Sequence, residues 1–143
     1  REPYRVSFPT PGHIYDAREK KYAGEGRELE VKPVVGAAAL YACLPYKVAG
    51  VEVTLDPSSP GGLAQGRAKV LTGGPPAEEH VLRMTVFGPD GKPRPAYTEN
   101  LTAKKGETEV RFRLALDDPA GEWTVKLCDA VSGVIGEGRL RVQ

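Results

Sequence analysis

The sequence predicts an all-β fold: an immunoglobulin-like antiparallel β-sandwich carrying an N-terminal β-hairpin extension. Three observations lead there. From Gly50 to Gln143, short runs alternate apolar with polar residues, the period of a strand buried on one face only. The glycines and prolines, 17 and 13 of 143 residues, fall between those runs as turn punctuation and form no low-complexity tract. No segment has the length and 3.6-residue period of an amphipathic helix.

In the first third, Tyr4, Val6 and Phe8 share one strand face, and Pro9-Thr10-Pro11-Gly12 should turn the chain. A second hairpin is expected where His13 to Asp16 and Lys21-Tyr22 flank the charged turn Ala17 to Lys20, with Gly24-Glu25-Gly26 reversing the chain into Glu28 to Val31. Ala37 to Leu44 is apolar almost throughout and reads as a strand covered on both faces, which implies a covering surface beyond the partner sheet. Pro45 to Gly50 is the expected joint, dividing an extension (1–48) from the sandwich (49–143).

Beyond the joint come Val51 to Leu55, the polar loop Asp56 to Gly62, a short strand Gly66 to Leu71 and a Gly/Pro loop Thr72 to Ala77. His80 to Phe87 points Leu82, Met84 and Val86 inward, and Gly88 to Pro93 forms a turn. Tyr97 to Thr102 is expected as a short crossing strand. Val110, Phe112, Leu114 and Leu116 then alternate with Arg111, Arg113 and Ala115. After the turn Asp117 to Gly121, Trp123, Val125 and Leu127 enter the core, and Leu140 and Val142 close it. About seven strands result, the number an immunoglobulin-like sandwich requires. The Cys…Trp…Cys signature of antibody domains is missing, because Trp123 precedes Cys128 on a single strand.

Lys and Arg total 20 against 19 Asp and Glu, a net charge of +1 with the signs interspersed. Nothing there attracts nucleic acid or an anionic membrane. No run approaches the ~18 apolar residues of a membrane span, the N-terminus lacks the apolar core of a signal peptide, and the missing initiator Met reads as excision from a longer chain. Cys43 and Cys128 have no metal-finger spacing, and Cys128 shares its strand face with Thr124 and Lys126, away from the core, so both are expected as free thiols.

Nucleophilic hydrolysis needs a histidine between a nucleophile and a carboxylate, and only His13 and His80 are on offer. His13 follows a Pro-Gly turn and His80 opens a strand, so both read as solvated or turn-bonding. Asp117-Asp118 is the obvious carboxylate pair, and its place before Pro-Ala-Gly points to turn bonding over glycoside chemistry. With Glu122 or Asp129 these acids lack the dense oxygen alternation of a calcium loop. No catalytic residue, cofactor or metal site is therefore expected. Tyr15, Tyr22, Tyr41 and Tyr46 are the candidate ligand or partner contacts, weighed against packing of the extension on the sandwich with each hydroxyl reaching solvent.

His13-Ile14-Tyr15-Asp16-Ala17-Arg18 with Lys21-Tyr22-Ala23-Gly24, followed by Ala42-Cys43-Leu44-Pro45-Tyr46-Lys47-Val48, resembles the C-terminal, non-catalytic β-sandwich regions of large bacterial glycoside-hydrolase-like proteins. Val86-Phe87-Gly88-Pro89-Asp90-Gly91-Lys92 and Ala120-Gly121-Glu122-Trp123-Thr124-Val125 are similar to secreted immunoglobulin-like and macroglobulin-like modules. Cys43 departs from the pattern, which has an aliphatic residue there. The resemblance carries no catalytic residue onto this chain. It implies a non-catalytic accessory module of an exported multidomain protein, secreted, periplasmic or at the cell surface, whose partners are neighbouring domains. The alternative is a carbohydrate-binding module using surface tyrosines.

Overall fold

The computed structural model describes residues 2–143. Ten strands run in the order β1 (Tyr4–Asp16), β2 (Lys21–Val31), β3 (Tyr41–Leu44), β4 (Val48–Leu55), β5 (Leu63–Thr72), β6 (His80–Phe87), β7 (Glu99–Ala103), β8 (Glu107–Arg113), β9 (Gly121–Asp129) and β10 (Ile135–Val142). They form three antiparallel sheets, ordered β2-β1-β3, β10-β9-β6-β7 and β4-β5-β8. The fold is all-β, and its seven later strands are arranged as a sandwich of four against three. One 3₁₀ turn, Pro95–Tyr97, is the sole helical element among the described residues.

Alternation builds the sandwich as expected. Along β10 exposed and buried residues alternate without a break, and along β9 Trp123, Val125 and Leu127 are fully buried. They meet Leu82, Met84 and Val86 of β6, and Val110 and Phe112 of β8, in one continuous core. Burial of such side chains is worth about 1.5–3 kcal/mol each. The two sheets nearly touch where β10 passes β4: a Cβ on Gly136 would lie 2.0 Å from the Val51 carbonyl oxygen, so only glycine admits that approach.

The first third differs from the expected pair of hairpins. β1 continues straight through Pro9 and Pro11, and the whole of β1 and β2 makes a single long ribbon. The prolines are tolerated because the ladder is interrupted between Ser7 and Gly12, where a missing N–H costs no bond. Gly24 and Gly26 do not reverse the chain. They sit inside β2 opposite Ile14 and Gly12, at φ 149° and 132°.

The apolar run Ala37 to Leu44 is not a doubly covered strand. Only Tyr41–Leu44 pairs, along β1, while residues 37–40 are open and exposed. The backbone there is held by caps in place of a ladder: Ala17 N–H donates to the Leu40 carbonyl at 2.8 Å and the Arg18 guanidinium to the Ala38 carbonyl at 2.5 Å. Leu116 also departs from its inward assignment, at 87% exposure, because β8 ends at Arg113 and the Asp118 turn has by then left the sheet. The segment at Tyr97 is helical, and the strand begins two residues later, at Glu99.

The first third touches the sandwich through two tyrosines. Tyr15 of β1 and Tyr46 just after β3 both join the sandwich core. At the tip of the ribbon, a Cβ on Gly133 would lie 2.3 Å from the Lys20 carbonyl oxygen, and Gly133 has φ 75°, so glycine is required there twice over.

Candidate functional site

The four candidate tyrosines do not make one surface. Tyr15 and Tyr46 are each only 2% exposed, which corrects their assignment as surface contacts and the expectation that their hydroxyls reach solvent. The Tyr15 hydroxyl accepts the Val48 N–H at 2.9 Å, and the Tyr46 hydroxyl accepts the Glu78 N–H at 2.9 Å. Burial pushes both phenols above 10.0. Tyr22 lies at the surface, edge-on to Tyr15 with centroids 5.3 Å apart and with the Lys47 ammonium 4.4 Å from its ring. Tyr41 is half-buried at the start of β3, across from Asp16.

The densest polar constellation lies inside the molecule. The Tyr46 hydroxyl is 2.7 Å from His80 Nε2, and His80 Nδ1 is 2.7 Å from Asp129 Oδ1. The Ser132 hydroxyl and amide both donate to Asp129 Oδ2, at 2.5 and 2.9 Å. With the proton on Nδ1, every group has a partner: His80 donates to the carboxylate, Tyr46 donates to Nε2, and the phenol oxygen accepts from Glu78. Burial acts to raise the Asp129 carboxyl, but the bonds from His80 and from the Ser132 hydroxyl and amide together outweigh it and hold the group below 3.8.

His80 is 4% exposed, so the expectation of a solvated imidazole is corrected. Two strand parities explain it. His80 is in phase with Leu82, Met84 and Val86, and Asp129 is in phase with Trp123, Val125 and Leu127, so both are turned inward by the alternation that builds the core. That signal was legible in the sequence for each residue alone.

The order of groups is not that of a hydrolytic triad. A serine nucleophile must bond to the imidazole, whereas Ser132 bonds to the carboxylate and the free imidazole nitrogen is taken by a phenol. Asp129 at 0% and Ser132 at 5% exposure are shut off from solvent. What the network does chemically is satisfy buried polar groups while tying the joint (Tyr46), the start of β6 (His80) and the β9–β10 turn together.

His13 sits within β1 and bonds through Nδ1 to the Tyr22 hydroxyl at 3.0 Å. Asp118 accepts the Ala115 N–H at 2.8 Å and the Tyr97 hydroxyl, the turn-bonding role expected of it. Cys43 and Cys128 are free thiols, and burial pushes the Cys43 thiol above 9.0.

No family model matches the chain, and no curated protein matches it. Among solved structures the chain is similar to part of a β-glucosidase from Listeria innocua, at 13% identity and a TM-score of 0.34, covering 68% of this chain and 15% of that one. The chain thus spans a small fraction of that protein's length. Among the described residues, no helix is long and apolar enough to cross a membrane.

Proposed function

We propose that the chain is a non-catalytic accessory module of a larger, exported multidomain protein, where it packs against neighbouring domains and sets their spacing. The observation that carries this reading is the apolar segment from Val34 to Leu40. Val34 is 70% exposed, Val35 74% and Leu40 62%, next to a short β3 edge. All seven residues from Val34 to Leu40 are exposed, and extended apolar exposure favours a protein contact. The non-catalytic part of the reading is supported by the sealed position of His80 and Asp129. The carbohydrate alternative retains only Tyr22 and Tyr41 of its four rings.

The test is hydrogen exchange at the amides of residues 34–40, measured in this chain alone and in the full-length gene product. Slower exchange in the full-length protein is expected. Equal exchange in both would sink the packing role.

A further inference from the structure

The outer faces of the two sandwich sheets treat their charges differently. On β10-β9-β6-β7, polar groups are spent on one another: Arg139 bonds Thr124 at 2.9 Å and lies 3.5 Å from Glu122, Arg83 bonds Asn100 at 3.3 Å, and the Lys126 ammonium lies 5.1 Å from the Phe87 ring centroid. On β4-β5-β8 most are left free. Strand register lines Glu52, Lys69 and Glu107 across the sheet, then Thr54, Arg67 and Glu109 one step along. Only Lys69 and Glu107 approach, at 3.6 Å. Among the described residues Glu52, Arg67, Glu109 and Arg111 enter no ion pair.

These side chains line a groove of about 360 Å³, continuous through Thr54, Arg67 and Glu109 with a second of about 250 Å³ that reaches Asp56, Gln65 and Arg111. Ligand sites commonly measure about 300–1,000 Å³. Three properties define what fits. The three cations, Arg67, Lys69 and Arg111, face four carboxylates, Glu52, Asp56, Glu107 and Glu109, so neither a polyanion nor a polycation gains from entering. Across neighbouring strands, about 4.8 Å apart, cationic donors of β5 stand beside carboxylate acceptors of β8, Lys69 by Glu107 and Arg67 by Glu109. No aromatic ring lines the groove, so a flat hydrophobic ligand finds no platform.

We propose that this groove binds an uncharged, polyhydroxylated chain, a neutral oligosaccharide, through its hydroxyls. A hydroxyl both donates and accepts, so adjacent hydroxyls on one ligand can satisfy a carboxylate and a guanidinium side by side. The site owes nothing to the tyrosines of the first third and stands independently of the packing role.

The test is an amide-resolved NMR titration of the ¹⁵N-labelled chain with cellotriose, maltotriose, xylotriose, mannotriose and galactotriose, with trigalacturonate as the charged comparison. Without a stacking platform the affinity is weak, with a Kd on the order of 1 mM. Shifts confined to β4, β5 and β8 are expected for at least one neutral trisaccharide, and Arg67→Ala or Glu109→Gln weakens binding about tenfold. Both residues are exposed, so either variant keeps the fold, which the dispersion of the same spectra checks. The proposal is overturned by shifts with none of the neutral sugars, by shifts on other strands, by tighter binding of trigalacturonate, or by unchanged affinity in both variants.

Discussion

The ribbon of β1 and β2 and the sandwich of β4 to β10 follow the same strand rules and reach opposite states of burial. In β10 each inward residue is covered by a second sheet. In β1, Tyr4 is 43% exposed, and Tyr4, Val6 and Phe8 share a face that stays at least partly open. Burial arrives in β1 only at Ile14 and Tyr15, and it is through Tyr15 that the ribbon joins the sandwich core. Alternation sets which way a side chain points; a second layer decides whether pointing there removes it from water.

Substitutions can break this contrast. Trp123→Ala should have the largest effect, about 3–5 kcal/mol from lost burial and the cavity left behind, read as a fall in the urea midpoint. Because Tyr15 and Tyr46 share that core, the ribbon near the joint should lose protection in the same transition. Independent melting of residues 13–16 would show that the two regions are separable.

Asp129→Asn comes next, at about 2–3 kcal/mol, since it weakens charged bonds to a buried histidine and serine. The Asp129 pKa is lowered on folding, so the stability it contributes is fully present above 3.8 and is lost as pH falls through the folded value. Wild type should therefore lose more stability than Asp129→Asn between pH 7 and acid, measured by urea unfolding at each pH. Equal losses would mean that the carboxylate does not carry the acid sensitivity.

Tyr15→Phe sharpens the view of the joint. Loss of the bond from the Val48 amide should cost about 1 kcal/mol and speed hydrogen exchange at Val48. The raised pKa of the buried Tyr15 gives the opposite pH sign: its contribution is complete below 10.0 and disappears as pH rises through the folded value. The smallest effect belongs to the open ribbon. Val6→Ser should change stability by no more than about 0.5 kcal/mol, whereas Val86→Ser, at 1% exposure, should cost several times more in the same denaturation series.

Much of the sandwich was legible residue by residue. Leu82, Met84, Val86, Trp123, Val125 and Leu127 fall inside as their parity demands. His80 and Asp129 obey the same parity, but polarity pulls the eye toward solvent, and nothing local shows that each has the other as partner. Their meeting depends on β6 pairing with β9 across 49 residues of chain.

Within the sandwich, sequence alone determined most strands and turns and the inward face of β6, β9 and β10, because a two-residue period and the conformational limits of glycine and proline are local properties, whereas in the first third the same prolines and glycines lie inside β1 and β2 and turn nothing. Tertiary structure decided which apolar faces were covered: it left Val34, Val35 and Leu40 in water, sealed Tyr15 and Tyr46, and laid uncommitted charges side by side across β4, β5 and β8. Coverage and convergence require a second segment distant in the chain, and which segment arrives is fixed by sheet pairing and layer packing, which no short window of residues encodes.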